Sequence, residues 1–544
     1  MKIQERGMVM EKKQAPVYKS KKGMVSSASK QATEVGAEIL ERGGNAFDAA
    51  TAVSYCLGVT EPQASGIGGQ SMALVYLAKE KRYFALDGSS MAPYHFQPKD
   101  MPKKPLKLGL KASTLPSTPA FYGYLSDNYG TLSFEELLAP AIKIAREGFP
   151  VTPLIHSLIE RSKEELKNDP QARKNFLPQD KPLKAGEILT QPELGEMMSR
   201  MAEKGWQDFY TGEIGREITM DMEARGGLIT AEDLSQIPIP IERPVLEGKY
   251  RKYGIITFPP PGAGRVLMQI LNILENFSEE DIDLDTPYGN LILALAFQLT
   301  LRDRKRMPQN PDIYFQQTAR KMTDKKYSRK VTENIRRIID KYSETVTHLP
   351  PETSGETTHF SVADGEGNIV AVTQSIELVF GAKRTARGLG FFYNNYMSAF
   401  EYKDRTHPYY LLPGNKPWSS VAPTIVTSRK KPVLVLGSPG SERISTALSQ
   451  VLIRYLDGKQ SLARSIEEPR FHTSDLKKMQ LEKKRFSKDV ESTFEETGFD
   501  IRRRGSYSFY LGCVQGIELP GKKNDHHFYG VADPRRDGSA MGPK

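Results

Sequence analysis

The residues of this 544-residue chain whose types and spacing best suit chemistry begin at Glu356-Thr357-Thr358-His359-Phe360-Ser361. A hydroxyl residue opens a stretch that reads as a strand, directly behind a polar, breaker-rich approach from His348 to Glu356. A self-cleaving precursor needs this arrangement. The peptide bond ahead of the hydroxyl must be free to distort, and the strand must hold the hydroxyl still. After a cut there, one residue carries both a nucleophile and an α-amine able to serve as its base. Two threonines also favour a strand entrance simply because they are β-branched. Both readings stand on spacing alone.

The elements around this stretch follow from its pattern. Phe360, Val362, Ile369, Ala371 and Val372 are apolar, while Asp364 to Asn368 supply turn chemistry, so the segment reads as a β-hairpin ending near Ser375. Ahead of it, residues 1–23 read as a loose basic arm and Ser26 onward as helical, with Gly43-Gly44-Asn45 closing that run. Ala46 to Gly58 is a second, buried helix. Ser65-Gly66-Ile67-Gly68-Gly69-Gln70 lacks the Lys-Ser/Thr of a phosphate cradle and leads into a strand, so it marks a close backbone approach between packed elements. Strands follow at 71–77 and 83–87, then a Pro-, Lys- and Ser-rich surface excursion over 88–118. Helices dominate from 119 to about 305, and 305–347 reads as a polar, partly helical linker. Beyond the hairpin, Thr424 to Leu436 is a second hairpin, Ile444 to Leu456 a helix, and the last thirty residues alternate as strands. Early strands, a helical middle and late strands describe one intermixed α+β sandwich.

Composition removes several classes of function. The 76 basic against 66 acidic residues leave a formal charge of +10, spread over short runs such as Lys12–Lys22, Lys99–Lys111 and Arg302–Arg306 with no aromatic interleaving. That suits solubility and attraction of anionic substrates, not nucleic acid. Cys56 and Cys513 form no disulfide framework, and neither they nor the eight histidines have metal-ligand spacing, so no metal or cofactor is expected. No signal-length or membrane-length apolar run occurs, which gives a cytoplasmic expectation with no membrane partner.

Several blocks together resemble the γ-glutamyltranspeptidase family of N-terminal-nucleophile (Ntn) hydrolases: Gly43–Ala50, Glu61-Pro62 with Ser65–Gly69, Pro259–Gly264, Thr357-Thr358-His359, Ser419–Ile425 with Gly437–Gly440, and Gly530–Arg535. The resemblance spans about residues 24–540. It implies a four-layer α-β-β-α sandwich, made as a precursor and cut between Glu356 and Thr357. The products, residues 1–356 and 357–544, remain associated as one intertwined domain. It further implies that Thr357 is the nucleophile on a small-molecule amide or peptide, and that Ser375 orients its hydroxyl and amine. Gly440 and Ser441 take the oxyanion-hole positions, where each backbone donor is worth roughly 3–4 kcal/mol of barrier. Ser441 replaces a second glycine of the family pattern. Ser419 and Ser420 match the pair that holds the substrate carboxylate or helps shape the pocket.

The departures concern the acyl group. Ser89 stands where the family places an arginine that clamps the γ-glutamyl α-carboxylate. Glu377, Tyr396 and Ala399 replace residues that grip its amine. Losing a guanidinium clamp removes charge-assisted bonds worth roughly 1.5–3 kcal/mol, so a γ-glutamyl head group is expected to bind poorly unless Arg384 or Arg387 swings in. The resemblance therefore leaves three functions open. These are γ-glutamyl transfer or hydrolysis, a glutaryl- or cephalosporin-type acylase or poly-γ-glutamate hydrolase, and an unprocessed binding homologue.

Overall fold

Strand Glu356–Asp364 lies inside a seven-stranded antiparallel sheet. The order from edge to edge is Ser539–Met541, Gly23–Ser27, Glu356–Asp364, Ile369–Glu377, Gln70–Leu77, Arg82–Gly88 and Ile241–Arg243. A second seven-stranded sheet runs Val17–Ser20, Phe528–Val531, Gln515–Glu518, Lys431–Gly437, Thr424–Ser428, Tyr253–Thr257 and Leu246–Tyr250. The structure is a computed structural model that describes residues 14–96, 104–313, 321–341, 355–474, 478–521 and 525–544. The approach segment from His348 to residue 354 lies outside the described residues, as does most of the basic arm.

Burial on both faces of each sheet dictates the layers. Ile369 and Ala371 point between the sheets, with Met24, Met72, Leu74, Ile256, Ile425, Val435 and Ile517. Their neighbours Val370 and Val372 point the other way, against helices Lys30–Glu41, Ala46–Thr60, Phe134–Glu147 and Pro192–Lys204. Helices Gly264–Leu274, Pro287–Arg306 and Arg443–Leu456 cover the second sheet. Period-2 alternation therefore separates two apolar cores rather than core from solvent. The result is the four-layer α-β-β-α sandwich. Among the described residues, no helix is long and apolar enough to cross a membrane.

The expected hairpin is present, with Thr358 opposite Gln374 and Ala363 opposite Ile369. Its turn is set by Asp364, whose Oδ1 accepts from the Glu366 and Asn368 amides while Oδ2 accepts from Ala46 N at 3.0 Å. That last bond ties the turn to the start of helix Ala46–Thr60, where Asn45 and Asp48 form a capping box.

Three expectations are corrected. The segment read as a loose arm contains Val17–Ser20, paired with Phe528–Val531, and the stretch read as helical from Ser26 begins as strand Gly23–Ser27, with the helix starting only at Lys30. Gly23–Ser27 is buried on both faces, so no alternation marks it. The region read as helical to 305 also holds three strands between Ile241 and Thr257.

The glycine-rich stretch behaves as a close approach. A Cβ at Gly69 would lie 2.2 Å from the Ser375 carbonyl oxygen, a backbone atom that cannot yield. Gly69→Ala is therefore expected to cost about 2 kcal/mol or more and to lower the thermal midpoint by several degrees; an unchanged midpoint would refute this packing role.

Candidate active site

Strand parity separates the two threonines. Thr358 shares the helix-facing side with Phe360 and Val362, and its Oγ1 donates to Glu61 Oε2 at 2.5 Å, at the end of helix Ala46–Thr60. Arg536 then bridges Glu61 and Glu356, at 3.3 and 2.8 Å. Burial pushes the Glu61 carboxyl up to about 7, opposed by Arg536 and the Thr358 hydroxyl. Burial raises Glu356 as well, again against the pull of Arg536. Thr358 is thus an anchor. The register shifts between Glu356 and Thr358, and this bulge presents Thr357 on the opposite side.

Thr357 is 7% exposed, and its Oγ1 lies 3.3 Å from Ser375 Oγ. The Ser375 hydroxyl donates to the Glu356 carbonyl oxygen at 2.7 Å and accepts from the Glu377 amide at 2.8 Å. One hydroxyl therefore contacts Thr357 Oγ1 and donates to the carbonyl of the peptide bond that precedes it. His359, the third residue of the motif, is fully buried between Thr373 and Ser361, and burial pulls its imidazole down to about 3. It is neutral and structural.

The loop after strand Lys431–Gly437 supplies backbone donors. Gly440 has φ +124°, a conformation suited to glycine, and Ser441 has φ +55° despite its side chain. Neither amide donates to a protein acceptor among the described residues. Helix Arg443–Leu456 starts immediately after them. Holding a non-glycine residue in this region costs roughly 1 kcal/mol, which is the form backbone strain takes at functional sites. Glu377, at φ +81°, is a second case.

These pieces meet in a cavity of about 450 Å³. Thr357, Ser375, Glu377, Tyr396, Ser419, Ser420 and Ser441 all line it, together with Phe400, Trp418, Glu442, Arg304 and Lys305. Gly440 lies behind Ser441 rather than on the wall. Burial pushes Glu377 up to about 7, and the phenol of Tyr396, beside Glu377, is raised by burial too. Ser89 lies elsewhere: its hydroxyl donates to Asp87 at 2.5 Å, inside a buried network with Arg243 and Lys416. Nor does either proposed substitute arginine reach the cavity. Arg384 donates to the Glu165 and Lys383 carbonyls, and Arg387 lies against Asp221. The guanidinium on the wall is Arg304, which sequence reading absorbed into a charge run. Its clue was helical spacing: it follows the buried Phe297 and Leu301 on one face of helix Pro287–Arg306. The buried roles of Glu61 and Arg536 were missed as well. Among the described residues no cluster of three or more His, Cys, Asp or Glu could hold a metal ion.

The sequence profile for Gamma-glutamyltranspeptidase matches residues 32–543. The chain is 35% identical to the glutathione hydrolase proenzyme of Escherichia coli over 539 residues, covering 95% of this chain and 91% of that one. It is 33% identical to the acylase ACY 1 proenzyme of Pseudomonas sp. (strain V22), over 83% of this chain and 82% of that one. Among solved structures, the cephalosporin acylase of Bacillus halodurans superposes with a TM-score of 0.86 at 26% identity, covering 100% of this chain and 99% of that one.

The raised Glu377 carboxyl has a testable sign. It binds its proton more tightly folded than unfolded, so it costs nothing below about pH 4.5, and stability is lost as pH climbs from there towards 7. Glu377→Gln should match the parent at pH 4 and exceed it by about 1–2 kcal/mol at pH 7.5, after discounting for solvent in the cavity. Thermal unfolding across that range checks it; a gap that is constant with pH would show that Glu377 is not strained by ionisation.

Proposed function

Because this chain belongs to the γ-glutamyltranspeptidase family, we propose that it matures by cleaving its own Glu356–Thr357 bond and then uses Thr357 as an N-terminal nucleophile. The protein is an amidohydrolase and acyltransferase that passes its acyl group through a Thr ester. The observation that carries the site assignment is the triple contact of Ser375 with Thr357 Oγ1, the Glu356 carbonyl and the Glu377 amide.

In maturation, Thr357 Oγ attacks the Glu356 carbonyl carbon while the Ser375 hydroxyl holds the carbonyl oxygen. The C–N bond breaks, the amine of Thr357 takes up a proton, and an ester links Glu356 to Oγ. Water then hydrolyses that ester, leaving the Glu356 carboxylate and a free Thr357 α-amine. In turnover, that amine accepts the Oγ proton as Oγ attacks the substrate amide, and it returns a proton to the departing amine. The Gly440 and Ser441 amides stabilise the negative oxygen of the tetrahedral intermediate. Water or an acceptor amine next takes the acyl group, and Oγ recovers its proton.

The acyl group is of γ-glutamyl or related dicarboxylic type. Ser419 and Ser420 on the wall support a carboxylate at its far end. The amine-gripping positions of the family are occupied here by Tyr396 and Ala399, beside the aromatic walls Phe400 and Trp418. This favours the second reading, an acylase for a glutaryl-type chain, which needs no amine site.

Purified protein is expected to resolve on a denaturing gel into fragments of residues 1–356 and 357–544. Thr357→Ala should stay at full length and be inactive, whereas Thr358→Ala should still be cut while losing about 1–3 kcal/mol through the hydrogen bond missing at buried Glu61 Oε2. Wild-type protein that remains one band after long incubation would refute maturation. On paired anilides, a glutaryl donor is expected to match or exceed a γ-glutamyl donor in kcat/KM; a γ-glutamyl preference of orders of magnitude would overturn the acylase reading.

A further inference from the structure

Arg304 is 3% exposed, lines the same cavity as Thr357, and has no carboxylate partner among the described residues. Its Nη2 donates to the Ser419 carbonyl at 2.8 Å and to Ser420 Oγ at 3.0 Å, and its Nε has no acceptor. Its plane is held over the Trp418 ring at 4.8 Å. The carboxylate that attracts it through space, Glu442, is engaged by Lys305 at 3.6 Å. Burying a guanidinium without a counter-ion is costly unless something else supplies the charge. A fixed, stacked and unpaired guanidinium at a substrate wall is therefore built to receive an anion. Ser420 agrees with this: its oxygen is already accepting from Arg304, so its own proton remains available to a second acceptor.

We propose that Arg304, with Ser420, is the residue that reads the terminal carboxylate of the acyl donor, a role that Ser89, turned to Asp87 away from the cavity, does not fill. The inference rests on the assignment of Thr357 as the nucleophile. It gives the acyl pocket a direction: the amide carbonyl lies at Thr357 and Ser441, and the carboxylate lies at helix Pro287–Arg306. The preferred donors are amides of dicarboxylic acids with one free carboxylate. Arg304 is a specificity-determining residue, for it contacts no reacting atom.

The test compares glutaryl-4-nitroanilide with its neutral counterpart, 4-carbamoylbutanoyl-4-nitroanilide, in the mature protein. Wild type is expected to favour the carboxylate by about 10- to 100-fold in kcat/KM, the range of charge-assisted hydrogen bonds. Arg304→Gln should reduce that preference to within about threefold, through KM more than kcat, and Arg304→Lys should restore part of it. A preference that survives in Arg304→Gln overturns the proposal. If that variant fails to fold, Arg304→Lys and wild type still decide: wild type that cleaves both anilides equally also overturns it. Wild type that cleaves neither anilide and stays uncut instead sinks the Thr357 assignment on which the proposal stands.

Discussion

The Ser375 hydroxyl is the point on which the rest of the site depends. It accepts from one backbone amide, donates to the carbonyl of the bond ahead of Thr357, and lies within reach of the Thr357 hydroxyl. No side chain could hold three such contacts on a flexible loop. The fold meets the requirement by placing Ser375 and Thr357 on adjacent antiparallel strands, each nine residues long, with neighbours on both sides. Gly69 lets a further backbone approach the Ser375 carbonyl, so even the glycine-rich segment serves this contact. Position here comes from sheet register, and register comes from two buried faces that a one-residue slip would exchange.

Charge is handled in two opposite ways around Thr357. Behind it, Arg536 satisfies both Glu61 and Glu356, and Glu61 also takes the Thr358 proton, so the buried charges are knitted together. That network fixes the bulge from which Thr357 projects. In front of it, Arg304 and Glu377 line the cavity without ionic partners among the described residues. Structural ions in a core are paired because leaving one alone is costly. Charges left unpaired at a cavity wall are where perturbed acidity and recognition concentrate. The contrast separates the paired ions behind Thr357 from the unpaired groups on the cavity wall.

How much of this was legible in the sequence depends on what each residue's neighbours are. The hairpin was readable because Asp364 to Asn368 carry turn chemistry and the flanking apolar residues are dense. Thr357 was distinguished from Thr358 only through the family resemblance, since the bulge between Glu356 and Thr358 is not recorded in the spacing. Strands Val17–Ser20 and Gly23–Ser27 were not readable: the first is a short, largely exposed edge strand, the second is buried on both faces and shows no alternation, and partners of each lie some five hundred residues away. Arg304 was hidden for a related reason. A lysine- and arginine-rich helix end looks like a solvated terminus until Trp418 and Ser420, more than a hundred residues on, are folded over it. Local chemistry is written locally; the pocket is assembled from long-range contacts that no spacing records.

Those same long-range contacts decide what a single backbone cut can do. In the first sheet, strand Glu356–Asp364 lies beside Gly23–Ser27, and Ile369–Glu377 lies beside Gln70–Leu77. In the second, Thr424–Ser428 pairs with Tyr253–Thr257, and Phe528–Val531 pairs with Val17–Ser20. Each sheet thus interleaves strands from before and after residue 356, and the inter-sheet core draws on both. Breaking the bond before Thr357 removes one covalent link but none of these pairings. The freed strand end keeps its neighbours on either side, so the new amine would stay where the register placed the hydroxyl. A fold with its halves in separate domains would release residue 357 on a cut there; this interleaved one would hold it in place.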